Sequence, residues 1–332
     1  MSESTVSIDN IINELAKKDP DLKQRIEKER QQLNKDYEEF DSKESKDSIM
    51  DNNLTFISDI HSALDDLKVL IDDPIVQKSK IIFLGDYIDG MSERRFSDHV
   101  EHMQLDSLGV LDLVMERVQK YDDVALLGNH DDFWMQTARE NSVTYDTWKI
   151  NGGKSTWRKI GIQSTSLSMV AKALNQDPLR KYTEFLNSLP LTWTNSSILA
   201  IHAGIYWGNN LTEQARDDLI WIRDEYYFNH KDQPTNWHHN DLNKVIVTGH
   251  TPVQTIEGTG IGYIKMQSDS TDIPRYLIDS GSRSGAFDGG IFALTLDQDG
   301  KVVQKKRAIK GKVYDGDRIL TENDVKTVNN ND

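Results

Sequence analysis

VALLGNHDDFW, residues 124–134, decides how this chain is read: four apolar residues in succession break into Gly128, Asn129, His130, Asp131 and Asp132. A short apolar run without alternation suits a strand buried on both faces. The groups that follow it are ones that bind metals and carry protons. Five further runs share this pattern. LTFIS (54–58) leads into Asp59, Ile60 and His61, KIIFLG (80–85) into Asp86 and Asp89, and SILAI (197–201) into His202. KVIVTG (244–249) leads into His250, Thr251 and Pro252, and RYLID (275–279) ends at Asp279 before Ser280 and Gly281. Amphipathic stretches such as SLGVLDLVMERVQKY (107–121) separate several of the runs and suit covering helices. The class is therefore α/β, with strands and helices in mixed layers.

In α/β folds, ligands bind in the crevice beyond the carboxyl ends of the strands, where loops converge. A single Asp or His at one strand end is ordinarily a turn former or a helix cap, and Gly85, Gly128 or Gly249 alone is an ordinary chain break. Six runs that all end in Asp, Asn or His, in a chain with nine histidines, are not explained that way. A pair of divalent ions needs a carboxylate to bridge them, with neutral imidazole and amide or carboxylate oxygen at the remaining positions. Asp59, His61, Asp86, Asn129, His202 and His250 supply that set. Mixed nitrogen and oxygen ligands suit Mn²⁺, Fe or Zn²⁺ better than Ca²⁺. Water held between two such ions becomes hydroxide near neutral pH, and the ions neutralise phosphate oxygens, so the expected reaction is phosphoester hydrolysis.

Composition narrows the partners. The 332 residues include 54 acidic and 39 basic side chains, a formal charge of −15, which disfavours nucleic acid as a general partner. The absence of cysteine excludes disulfides and thiolate ligands. MSESTVSIDN lacks the basic start and apolar stretch of a signal peptide, and no run reaches the roughly 18 apolar residues of a membrane span. The expectation is a soluble cytoplasmic protein with no membrane partner. Residues 1–53 are charged and free of glycine, with Asp19 and Pro20 placed as a helix start and Leu22, Ile26, Leu33, Tyr37 and Phe40 forming one thin apolar stripe. This predicted N-terminal helical extension either mediates dimerisation or partner binding, or packs on the main domain. Residues 54–312 form the expected catalytic domain, with a helical insertion at 133–196 over one end of the sheet. Residues 313–332 read as a loose polar tail.

SDIHS (58–62), GDYIDG (85–90), GNHDD (128–132), IHAG (201–204) and GHTP (249–252) resemble, in order, the signature blocks of the calcineurin-like metallophosphoesterases, and more narrowly the phosphoprotein phosphatase branch. WKINGG (148–153), LIWIRDEY (219–226) and YLIDSGS (276–282) are similar to stretches of bacterial and phage-type serine/threonine phosphatases and of the related symmetrical diadenosine tetraphosphatases. The resemblance spans roughly residues 54–300. It implies a four-layer fold, a central β-sandwich flanked by helices, with the site at the sheet's edge. It places Asp59 and His61 on a first metal, Asp86 as the bridge, and Asn129, His202 and His250 on a second metal. It makes His130 the general acid and Asp89 the residue that orients it. One block departs from the family: Gly90 and Met91 stand where an arginine usually clamps the phosphate. Arg223 is the first candidate to replace it, followed by Arg95 and its neighbour Arg94. The third block also ends in Asp131 and Asp132 where relatives commonly carry Glu. The implied cofactor is a pair of divalent ions, Mn²⁺ foremost. The implied activity is a serine/threonine protein phosphatase acting on phosphoproteins or phosphorylated small molecules. The alternatives are a bis(5'-nucleosyl)-tetraphosphatase or other nucleotide phosphohydrolase, and a metal-holding binding protein without turnover.

Overall fold

Every one of the six apolar runs is a strand in the computed structural model, which describes residues 52–229 and 236–326. The predicted N-terminal helix lies outside the described residues. In chain order come β1 (Leu54–Ser58), α1 (Leu64–Ile71), β2 (Lys80–Phe83), the short hairpin of β3 (Glu93–Arg95) and β4 (Val100–His102), α2 (Ser107–Tyr121) and β5 (Val124–Ala125). Helices α3 (Asn129–Ala138), α4 (Ser142–Trp148), α5 (Lys154–Lys159), α6 (Leu167–Leu174) and α7 (Arg180–Ser188) follow. The second half holds β6 (Thr192–Thr194), β7 (Ile198–Ile201), α8 (Arg216–Trp221), β8 (Val245–Thr248), β9 (Ile264–Met266), β10 (Arg275–Leu277), β11 (Ile291–Leu296), β12 (Val302–Ile309) and β13 (Lys312–Asp315).

These strands build a six-stranded sheet, β13-β12-β11-β1-β2-β5, and a five-stranded sheet, β6-β7-β8-β10-β9. β1, β2 and β5 run parallel, and so do β7, β8 and β10, so within each sheet the carboxyl ends that carry the candidate groups point the same way. Side chains alternate between faces along a strand, and here both faces are apolar. Phe56, Ile82, Leu84 and Leu126 of the first sheet pack with Ala200, Val247, Tyr276 and Ile278 of the second to form the sandwich core. The opposite face of the first sheet, with Ile57, Ile81 and Phe83, shares a core with α1, α2 and Trp134, Trp148, Trp157, Val170 and Leu186 of the helical stretch. Leu199, Ile201, Ile246 and Leu277 pack outward with Leu219, Ile220, Tyr226 and Tyr227. Burial on both faces is why these strands show no polar alternation in sequence.

Residues 313–326 are more ordered than their polarity suggests. β13 pairs antiparallel with β12, and Tyr314, Leu320 and Val325 are buried beside Phe96 and Ile309. Three apolar side chains spaced through a polar stretch are enough to pin it, a pattern too sparse to read as an element. Among the described residues no helix is long and apolar enough to cross a membrane.

Candidate metal centre

The loops at the strand ends take a backbone form that regular structure avoids. Asp59, His61, Asp86, Asp89 and His250 have φ of 51°, 47°, 58°, 63° and 72°. Such left-handed geometry is uncommon outside glycine and costs on the order of 1 kcal/mol or more per residue. Hydrogen bonds between the loops offset that strain: the N–H of His61 donates to Asp86 O at 2.9 Å and that of Ser62 to Tyr87 O at 2.9 Å. The two sheets meet at the same place, because His250 N–H donates to Asp59 Oδ2 at 2.9 Å. A Cβ at Gly249 would lie 2.1 Å from that oxygen and closer still to Ser58 Oγ, so only glycine lets the second sheet's loop come this near.

These turns converge the expected set. One oxygen of Asp86 lies 3.5 Å from His61 Nε2 and the other 3.5 Å from His202 Nε2. Ligand atoms of Asp59, His61 and Asp86 fall within 4.8 Å of one another, as do those of Asp86, His202 and His250, and Asp86 is common to both groups. Asn129 Oδ1 sits 3.0 Å from His202 Nε2 and 2.8 Å from His250 Nδ1.

The hydrogen-bond pattern fits cations at this point. His61 Nδ1 is 2.7 Å from Ile88 O, His202 Nδ1 is 2.8 Å from Leu84 O, and His250 Nε2 is 3.2 Å from Trp221 O. A ring nitrogen facing a carbonyl carries the proton, so the other nitrogen of each ring presents a lone pair inward. Asn129 Oδ1 then faces two lone pairs, and a cation at this point would take all three as ligands. Asp59 Oδ1 is buried with no hydrogen-bond partner, another acceptor without a donor. Burial pushes Asp59 up to about 6 and lifts Asp86 and Asp279 well above the carboxylate range. Burial also holds His61 and His250 well below their ordinary value and His202 down to about 3. Neutral imidazoles and desolvated carboxylates together are a donor set suited to two divalent ions.

The proton-handling pair lies beside this set. His130 Nδ1 is 2.7 Å from Asp89 Oδ2, its Nε2 makes no hydrogen bond among the described residues, and its ring meets that of His61 at 5.0 Å, edge to face. The helical stretch reaches in to hold Asp89: Trp148 Nε1 donates to Oδ2 at 2.6 Å and Thr156 Oγ1 donates to Oδ1. Burial raises Asp89 to about 7, against the lowering effect of those two donors, while burial and the charges of Arg283 and Arg223 depress His130. Burial thus favours the neutral form of each partner. Asp131, in the third block, has a defined place. Its carboxylate accepts the N–H groups of Asp86 (2.7 Å), Gly128 (3.0 Å) and Tyr87 (3.1 Å), tying the β2 loop to the start of α3.

The arginines sort differently from the sequence expectation. Arg94 is a correction: it is fully buried, donates to the carbonyls of Met91 and Glu93 at 3.2 Å and to Ser282 O, and feels the charges of Asp66 and Asp288. In β3, odd and even positions face opposite ways, and Arg94 has the inward one. Arg223 is exposed, anchored on Thr251 Oγ1 at 2.7 Å and His250 O at 3.2 Å, with its charge acting on Asp59, His202 and His250. Arg95 is also exposed, with Nη2 3.8 Å from Met91 Sδ. Arg283 is the residue that motif reading passes over. Its Nε donates to Asp89 O at 2.9 Å and its Nη2 to Asn151 O at 2.8 Å, and its charge reaches His61, His130 and Asp89. Its one signal in sequence is position, four residues past the sixth strand-end aspartate in SGSRSG.

A β-sandwich that gathers this donor set at its strand ends, with a histidine–aspartate pair alongside, defines a metal-dependent phosphoesterase. The chain belongs to the calcineurin-like phosphoesterase family, whose model matches residues 53–277. Among solved structures it is similar to a protein provisionally assigned as a diadenosine tetraphosphatase, at 16% identity and TM-score 0.48, over 77% of this chain and 94% of that one. It is also similar to a protein serine/threonine phosphatase from Saccharomyces cerevisiae resembling human phosphatase PP5 (16%, 0.44, 75% and 74%). A metallophosphoesterase from Sphaerobacter thermophilus is a third (16%, 0.40, 77% and 88%). No curated protein matches the chain.

Proposed function

We propose that the protein hydrolyses phosphomonoesters with two Mn²⁺ ions, and that its preferred substrates are phosphoserine and phosphothreonine in proteins. The observation that carries this reading is Asp86, whose two oxygens each face a different imidazole, an arrangement that lets one carboxylate serve two ions. When bound, two divalent ions at this set supply an activated water and neutralise charge on the phosphoryl oxygens. The side chains do the rest. Asp59 and His61 serve one ion, Asn129, His202 and His250 the other. Arg223, planar and anchored on Thr251, presents donors to the phosphoryl oxygens. His130 donates a proton from its free Nε2 to the leaving oxygen, while Asp89 fixes the ring through Nδ1. A binding protein that merely held metal would have no use for that pair.

Steady-state hydrolysis by the full chain with Mn²⁺ tests the reading. His130→Ala is expected to lower kcat on a phosphoserine peptide by roughly 10²- to 10⁴-fold. On p-nitrophenyl phosphate, whose nitrophenolate departs without protonation, the loss should be much smaller. Equal rates for wild type and variant on the peptide would contradict the assignment. A far higher kcat/KM for diadenosine tetraphosphate than for phosphopeptides would overturn the substrate preference.

A further inference from the structure

Gly90 accepts no side chain: a Cβ there would lie 2.1 Å from the carbonyl oxygen of His61. The backbone has closed over the position where the family carries its arginine. Beside it opens a cavity of about 300 Å³ whose wall includes Asp89, Gly90, Arg95, Ser155, Lys159 and Arg283. Among the described residues none of the three cations forms an ion pair. Arg283 spends Nε and Nη2 on carbonyl oxygens, and among the described residues its Nη1 has no partner and Lys159 makes no hydrogen bond. Glu93 is the other carboxylate on the wall, since the side chain of Asp89 is engaged by His130, Trp148 and Thr156. In a chain with 54 acidic and 39 basic residues, a small cavity lined by three unpaired cations runs against the average charge. Charge of one sign concentrated on a concave wall draws in the opposite charge. The cavity also has a fixed relation to the chemistry, because Arg283 holds the backbone of Asp89, the residue whose side chain orients the proton donor. The charge of Arg283, on the cavity wall, also acts on His61 and His130 of the site.

We propose that this cavity is an anion subsite that receives a second anionic group of the substrate, with Lys159, Arg95 and Arg283 as its cationic wall. The proposal rests on the phosphoesterase reading and deepens it: favoured substrates carry a phosphate or carboxylate close to the scissile ester. Two sources share that chemistry, the remaining chain of a polyphosphate and an acidic neighbour of a phosphoserine.

Lys159→Gln tests this in the full chain, since that side chain holds no hydrogen-bond or ion-pair partner among the described residues. With Mn²⁺, the variant is expected to lose roughly tenfold in kcat/KM, the size of one charge-assisted contact, on substrates with a second anion. On p-nitrophenyl phosphate it should stay within about twofold of wild type. A greater loss on diadenosine tetraphosphate assigns the polyphosphate source, and a greater loss on a Glu-flanked phosphoserine peptide assigns the acidic peptide. Unchanged kcat/KM on both, or equal losses on all substrates, would overturn the subsite. If the wild type fails to turn over p-nitrophenyl phosphate, the phosphoesterase reading falls, and the subsite is decided by calorimetry instead. Metal-free protein should bind tripolyphosphate, more weakly after Lys159→Glu. No binding, or identical binding by the two, would reject it.

Discussion

Gly90 shows how a single residue can redistribute a function. Restoring the family's arginine there would not restore a clamp, because the first carbon of any side chain meets His61 O. Gly90→Arg should destabilise the fold by about 1–3 kcal/mol through overpacking and displace His61 from the metal set. Thermal unfolding with and without Mn²⁺ checks this: the variant should show a lower midpoint and a smaller metal-induced rise. A variant as stable as wild type with improved phosphate binding would contradict the close-contact account. Arg94 shows the limit of motif reading at the same scale. Adjacent arginines in a short strand point opposite ways, and no local sequence feature says which one is inward.

At the scale of elements, the six strands were legible because each is an uninterrupted apolar run. The groups at their ends were legible because ligand types recur where such strands stop. The contribution of α4 and α5 was not. Trp148 belongs to a recognisable WKINGG stretch, yet that its indole donates to Asp89 depends on how the helices fold back over the sheet, which no spacing encodes. Asp131 was likewise visible only as a departure from the family, and its three backbone contacts appear once the β2 loop is in place. Trp148→Phe tests the link between helix and site. An aromatic ring is kept, at the cost of a smaller side chain in the core, and Asp89 loses one of the donors that hold its carboxyl down against burial. The Asp89–His130 pair then takes up its proton at higher pH, so the acidic limb of the kcat/KM profile for a phosphopeptide should shift upward. A profile that falls uniformly without shifting would mean that Trp148 acts only through packing.

The whole molecule carries an electrostatic debt at its centre. A carboxyl whose folded value lies above its unfolded value contributes stability that is present below about pH 4 and is lost as pH rises through the folded value. That value is about 6 for Asp59 and about 7 for Asp89 and Asp131. The buried imidazoles run the other way, since their lowered values withdraw stability as pH falls below about 6.5. The two sets oppose each other between about pH 4 and 6.5, and above that the carboxyls act alone. Metal-free protein should therefore lose thermal stability between about pH 6.5 and 8, and saturating Mn²⁺ should remove the loss by stabilising the ionised carboxylates. A metal-free midpoint that is flat or rising across that range would contradict the burial-driven shifts.

The most direct measurement is anomalous scattering from crystals of the full chain grown with Mn²⁺, alongside Asp86→Asn. The wild type should show two peaks roughly 3.5–4 Å apart on either side of the Asp86 carboxylate. One would be met by Asp59 and His61, the other by Asn129, His202 and His250, and both would weaken together in the variant. A single peak, peaks away from these six side chains, or loss of only one ion in the variant would contradict a bimetallic centre bridged by Asp86.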